Sequence, residues 1–200
     1  AVIGLIIVSL YVFCAIFAPY ISPYDPTKQN LAESFQSPNV RHLLGCDDFG
    51  RDILSRIIWG ARISLLIQLS SVVLALIIGI LLGALGGYYG GKIDEVIMRF
   101  MDILLAFPGM LLALAIVAML GPSLRNLIIA IGVYSVPQFA RITRGAVLAV
   151  RANEYIVGAK AIGESDAAII LRYVLPNALS PIIVQTTLRM ATVLLTASGL

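Results

Sequence analysis

At 200 residues, with 60% hydrophobic and only 12% charged side chains and a mean hydropathy of +0.97, the chain has too little polar surface to cover a water-soluble globule. Its net charge of +3 comes from scattered basic residues without an aromatic-basic cluster, a weak hint of anionic headgroups that gives no argument for nucleic acid, and no nucleic-acid partner is expected. The one histidine, His42, lies in a loop, no serine or cysteine has a plausible base beside it, and no HExxH-type motif occurs, so an enzyme is not expected.

Five apolar segments are long enough to cross a bilayer as helices, at about 1–18, 63–85, 103–120, 124–140 and 179–200. The expected fold class is therefore all-α, a polytopic transmembrane helical bundle. The chain opens and closes inside apolar segments and lacks a starting methionine, so a longer protein with six spans is expected. A signal peptide is the rival reading of residues 1–18, but no basic region precedes the apolar run.

Residues 19–62 form a loop that opens with Pro19, Pro23 and Pro26 and also carries Pro38. Phe49, Ile53, Leu54, Ile57, Ile58 and Ala61 make a helical stripe opposite Arg51, Asp52, Ser55, Arg56 and Arg62, which predicts an interfacial amphipathic helix with Trp59 at the headgroups. Asp47, Asp48 and Asp52 suggest a cation site, but an N-cap and an Asp52/Arg56 pair explain them as well. Cys14 and Cys46 have no metal-ligand spacing and read as unrelated thiols. No metal is assigned.

The core, 63–200, begins with a span carrying Gly79 and Gly83, a small-xxx-small pair that lets another helix approach closely, and Ser64, Gln68 and Ser71 as a polar face. Gly86, Gly91 and Lys92 nearly spell a phosphate-binding loop. Ile93 stands where the magnesium-binding Ser or Thr is needed, and an apolar helix precedes the loop rather than a strand, so no nucleotide site is expected. Pro108-Gly109 and Pro137 predict helix kinks, as gates or as packing bends. On the last span Gln185, Arg189, Thr192 and Thr196 share one helical face. An arginine at membrane depth is expensive unless it meets a wet cavity or a partner, so the stripe is read either as lining a solute pathway, with Arg189 offered to an anionic group, or as an arginine that pairs with another subunit or snorkels.

Between the fourth and fifth spans, the stretch 153–176, NEYIVGAKAIGESDAAIILRYVLP, is charged and reads as two short helices with a hinge. Asn153 is the expected N-cap of a helix with the stripe Tyr155, Ile156, Ala159 and Ile162. Gly163 takes the left-handed C-terminal position. Ser165 caps the second helix, Asp166 sits in its positive first turn, Ile169, Ile170, Tyr173 and Val174 form its stripe, Arg172 lies in its last turn and Pro176 is a stop. Two short helices cannot bury both stripes in each other, so a partner surface is expected.

The spacing of Gly163, Tyr173, Leu175 and Pro176 resembles the EAA loop of ABC importer permeases, and EYIVGAKAIGESDAAIILRYVLPNAL is similar to the version in the dipeptide/oligopeptide/nickel group. The resemblance extends through HLLGCDDFGRDILSRIIWGARISLL, GGYYGGKIDEVIMRFMDILLAFPG and ARITRGAVL, most of the chain. It departs at the usual Glu-Ala-Ala triplet, here Val157-Gly158-Ala159, at Tyr173 where Ile is usual, and at Cys46 where Thr is expected.

The resemblance implies an inner-membrane permease subunit of an ATP-driven importer, carrying di- or oligopeptides, with nickel or glutathione as alternative solutes. It makes 151–178 a cytoplasmic coupling loop, with Glu154, Tyr155, Gly158, Ala159, Lys160, Gly163, Ser165, Asp166, Leu175 and Pro176 as its candidate contact residues, and 19–62 extracytoplasmic. Basic residues alone do not orient the spans. The implied partners are a second homologous permease, two ABC ATPase subunits that hold ATP and magnesium, an extracytoplasmic solute-binding protein and the lipid bilayer. No cofactor is expected in this chain. A secondary transporter or channel is the other class, but it calls for buried mid-span acids or a span repeat that the sequence does not offer.

Overall fold

The computed structural model describes residues 2–198, and these divide into two compact units, 2–66 and 67–198. The architecture is all-helical: α1 (Val2–Ile21), α2 (Ile53–Tyr89), α3 (Gly91–Leu105), α4 (Gly109–Leu120), α5 (Leu124–Arg151), α6 (Glu154–Ala161), α7 (Asp166–Ile169) and α8 (Leu175–Ser198). A π-helical segment, Ile170–Val174, joins α7 to α8.

In the first unit α1 is apolar along its whole length and leaves nearly all its large side chains exposed, as a helix facing lipid should. The loop that follows is folded on itself. Asn30 N–H bonds the Phe49 carbonyl, Phe35 N–H that of Asp47, and Cys46 N–H that of Gln36. The Asp47 carboxylate gathers the N–H groups of Phe49 and Arg51 at 2.9 and 3.0 Å, Arg51 Nε at 2.7 Å and the Arg56 guanidinium. Burial pulls this carboxyl upward, but the donors of Arg51, Phe49 and Arg56 outweigh it and hold its pKa at about 2.

Two expectations for this region change. Asp52 does cap the helix, accepting Ser55 N–H at 2.7 Å, but its side-chain partner is His42 at 2.9 Å, while Arg56 turns to Asp47. The separate amphipathic helix is also absent: the helix starts at Ile53, leaves Phe49 in the loop, and continues as α2 to Tyr89. Nothing between Arg62 and Ile63 breaks a helix, since neither Gly nor Pro stands there.

In the second unit α5 is the hub, packed by α3, α4 and α8 and by the glycine face of α2. A Cβ on Gly79 would lie 2.4 Å from Phe139 Cβ, and one on Gly83 would lie 2.4 Å from the Ala140 carbonyl oxygen. Only residues without a side chain permit this approach, as the small-xxx-small pair predicts. Val72, Ala75, Met101, Ile131, Phe139 and Val193 fill the core between these helices. Gln68 on α2 donates to the Met190 carbonyl of α8 at 3.2 Å.

Among the described residues three helices are long and apolar enough to cross a membrane, Val2–Ile21, Ile53–Tyr89 and Asp166–Ala197, and a fourth span is added if α3 and α4 count as one. The expected third span is therefore not a kinked rod. The chain turns by 87° between α3 and α4, because Pro108 cannot donate to the preceding turn and α4 restarts at Gly109. The expected fourth span, 124–140, is helical but is not among the qualifying helices. Its polar residues, Arg125, Asn126, Ser135 and Gln138, lower its hydropathy, and its neighbours on several sides spare it the need for an all-round apolar surface. Pro137 lies inside α5 without ending it. The last span holds, its final residues 199–200 and the first residue of the chain lying outside the described residues.

Candidate functional site: a docked helical hairpin

The 153–176 stretch folds as expected at its hinge. Gly163 has φ +85°. Its N–H bonds the Lys160 carbonyl and the Glu164 N–H bonds that of Ala159, the double bond pattern that closes a helix on a left-handed residue. Ser165 Oγ then accepts Ala168 N–H at 3.4 Å and starts α7. Asn153 behaves differently from the expected cap. Its side chain donates back to the Val150 carbonyl at 2.8 Å and so finishes α5 instead of starting α6.

Pro176 does not stop the second helix. Leu175 N–H reaches the Ile170 carbonyl, one residue further back than in an α-helix. This widened turn makes room for the proline ring. Asn177 Nδ2 caps the Tyr173 carbonyl at 2.6 Å, and the helix runs on through Pro176 and Pro181. The hairpin's second arm and the last span are one helical run, Asp166–Ala197.

One side of the hairpin is buried. Ile156, Ala159, Ile169 and Val174 close over Ala84 and Tyr88 of α2 and Val147 of α5. Each fully buried aliphatic side chain here stabilises by roughly 1.5–3 kcal/mol. Tyr88, 2% exposed, is the anchor: its hydroxyl donates to Asp166 Oδ1 at 2.6 Å and its ring carries the Lys160 ammonium 4.8 Å from the centroid. Glu164 and Arg172 pair across the hinge at 3.4 Å.

The other side faces out. Tyr155, Val157, Ile162 and Leu171 are 47%, 64%, 81% and 66% exposed. The first predicted stripe is thereby split, with Ile156 and Ala159 inward and Tyr155 and Ile162 outward, while the second stripe lies inward throughout. Of the remaining candidates, Glu154, Gly158 and Pro176 are exposed and Leu175 is half-buried. Leu171 escaped the sequence reading because it sits between two inward positions of a π segment, where the α-helical period fails.

Sequence reasoning also missed Tyr88 and the clamp below it. Asp94 of α3 holds Arg144 of α5 through two bonds of 2.5 Å, and Asp102 pairs with Arg141 at 2.5 Å. The spacing of Asp94 and Asp102 along the amphipathic α3 was the available signal. The near phosphate-binding stretch 86–92 is the corner between α2 and α3.

The pathway stripe is unevenly placed. Gln185 is half-buried, Thr192 is exposed and Thr196 is half-buried, whereas Arg189 is 6% exposed. Its guanidinium lies 4.6 Å from the Tyr134 centroid, and Nη2 donates to Ser135 Oγ at 3.2 Å. Its Nε is buried without a hydrogen-bond partner.

An all-helical bundle with several apolar spans is the architecture of a polytopic membrane protein. Residues 75–200 match the model for the binding-protein-dependent transport system inner membrane component, and residues 1–38 match that for the N-terminal TM domain of oligopeptide transport permease C. The chain belongs to the family of binding-protein-dependent transport system inner membrane components.

It is 48% identical over 200 residues to a dipeptide transport system permease protein DppC of Alkalihalophilus pseudofirmus, covering 100% of this chain and 66% of that protein. It is 47% identical over 203 residues to a di/tripeptide transport system permease protein DppC of Pseudomonas aeruginosa, covering 98% and 67%. A glutathione transport system permease protein GsiD of Escherichia coli is 43% identical over 201 residues, covering 100% and 66%. The chain thus spans about two thirds of the length of the curated relatives it matches. Among solved structures, a chain from the crystal structure of an amino acid ABC transporter with histidines shares the fold, with a TM-score of 0.52, 17% identity and 74% coverage of each chain.

Proposed function

We propose that the chain is the membrane-spanning permease subunit of an ATP-driven importer of di- or oligopeptides, and that the hairpin 151–178 is its coupling element to an ATPase. The observation that carries this reading is the two-sidedness of the hairpin. One face is locked onto the bundle by Tyr88, Ile169 and Val174, while Tyr155, Val157, Ile162 and Leu171 offer an apolar face outward. An unpartnered apolar face on a rigid element suits docking into a groove of a soluble subunit. The peptide assignment is supported by relatives named for dipeptide and di/tripeptide transport, with glutathione, itself a small peptide, as the solute of others.

In this reading ATP and magnesium are held by two ATPase subunits, a second homologous permease completes the pore, and an extracytoplasmic binding protein delivers the solute. The hairpin lies on the cytoplasmic side, and closure of the ATPase pair drives α5 and α8 as rigid bodies. Gln185, Arg189, Thr192 and Thr196 border the pathway, and Arg189, a buried cation with an unspent Nε donor, is the group for a peptide carboxylate.

The test is reconstitution with the ATPases, partner permease and binding protein in vesicles. The expected result is ATP-dependent peptide uptake that is lost, with insertion retained, when Ile162 and Leu171 are both replaced by Asp. Uptake without an ATPase, or undiminished uptake by this variant, would overturn the reading.

A further inference from the structure

We propose that Glu33, His42 and Cys46, in the loop between α1 and α2, form a three-ligand site for a zinc-class divalent cation, with Asp52 orienting the histidine. One ligand atom from each of the three residues lies within 4.8 Å of the other two. His42 Nε2 stands 3.5 Å from Glu33 Oε2, and His42 and Cys46 are only 7% and 5% exposed.

The tautomer is set by chemistry. Asp52 is 3% exposed and already accepts the Ser55 N–H on Oδ2. Its Oδ1 lies 2.9 Å from His42 Nδ1, and because an ionised carboxylate only accepts, Nδ1 carries the proton. Nε2 is then free to offer its lone pair toward Glu33 Oε2, 3.5 Å away. A carboxylate behind a ligating imidazole is the recurrent second layer of zinc sites.

The backbone holds these groups in place before any ion arrives. The Cys46 N–H is tied to Gln36, Asn39 and Gly45 N–H groups both bond the His42 carbonyl, and Cys46 forms an isolated bridge with Asp52. Tyr24 packs its ring 4.7 Å from the His42 ring. Ligands around a tetrahedral zinc sit roughly 3.5 Å apart, so the widest separation must shrink by about 1 Å. Glu33 can supply that movement, since its side chain is 30% exposed and ends a short 3-10 turn.

One sulfur, one imidazole nitrogen and one carboxylate oxygen form a borderline donor set that suits zinc or cobalt over calcium or magnesium. A cavity of about 260 Å³ opens on Glu33, His42 and Asp52, giving an entry path and room for a water as fourth ligand. Sequence spacing hides the site, because the three ligands come together only when the loop closes on itself. The ion would staple the 31–33 turn to the 42–46 segment, a role separate from the hairpin.

The experiment uses the full-length permease, purified in detergent with its partners and stripped with a chelator. Cobalt(II) titration should give one equivalent per chain, with a thiolate-to-cobalt absorption band in the near ultraviolet that zinc abolishes. Cys46→Ser and His42→Ala should lose the band, Cys14→Ser should keep it, and Asp52→Asn should weaken affinity about 10- to 100-fold. Loss of the band in Cys14→Ser with its retention in Cys46→Ser, or no cobalt binding in the wild type below millimolar concentration, overturns the proposal. Should Cys46→Ser fail to insert, the unmodified protein still decides it: zinc should protect Cys46 from alkylation at least tenfold, and equal alkylation with zinc and with chelator overturns it.

Discussion

The Tyr88 hydroxyl donates a 2.6 Å hydrogen bond to the carboxylate of Asp166, across 78 positions of sequence. That bond joins the last turn of α2 to the first turn of α7, and the same ring sits under Lys160 of α6. One side chain therefore fastens both arms of the hairpin.

Replacing Tyr88 by Phe keeps the ring and removes the bond. A hydrogen bond to a charged group is worth about 1.5–3 kcal/mol, so Tyr88→Phe should raise hydrogen exchange across 154–174 roughly tenfold or more while α5 exchange is unchanged. A double-mutant cycle with Asp166→Asn should show strong coupling between the two positions; additive effects would sever the link.

At Gly163 the constraint is the backbone alone, since a Cβ there would have nothing within 4 Å. Gly163→Leu should cost about 1 kcal/mol or more and uncouple ATPase activity from transport with insertion intact. Gly163→Asn, which tolerates the left-handed region, should retain most of the coupling. Equal behaviour of the two variants would refute the conformational argument.

Gly83 tests the opposite case, a steric one. A Cβ would meet the Ala140 carbonyl oxygen at 2.4 Å and Thr143 Cβ at 2.7 Å, so Gly83→Val should push α2 from α5 and lower stability in detergent by about 1–3 kcal/mol. Gly145→Ala, with nothing within 4 Å, is the neutral control in the same thermal-melt assay.

Asp94→Ala should leave Arg144 without its two-bond partner, at a cost of about 2 kcal/mol. The reversed pair Asp94→Arg with Arg144→Asp should recover part of the loss, measured by thermal melting of the solubilised chain.

Arg189→Gln should reduce uptake of an anionic peptide well below that of a carboxyl-amidated one. Equal losses for both would assign the guanidinium to packing against Tyr134 and Ser135 instead of to the solute.

The features most legible in the sequence were those governed by short-range rules. The Gly163 bend, the Ser165 cap and the close approach at Gly79 and Gly83 each follow from a residue's own conformational or steric character, and each is in the structure. The failures share a different cause. By sequence Pro176 is a stop because an α-helix cannot place its ring, but a single π turn at Ile170–Val174 solves the clash locally. Tyr88 with Asp166, Asp94 with Arg144, and His42 with Glu33 and Asp52 are pairings made by the fold, at separations where no periodicity in the chain links them. The membership of 124–140 in the bundle was readable, but its sheltering among neighbours, which lets it be less apolar than a free-standing span, was not.

The absence of a joint at Pro176 has a mechanical meaning. The helical run Asp166–Ala197 has 32 residues, about 48 Å at 1.5 Å per residue, against a hydrocarbon thickness of roughly 30 Å. Set along the bilayer normal, something over a third of it would project beyond the lipid, so the turn that Tyr88 fastens and the apolar span belong to one continuous lever.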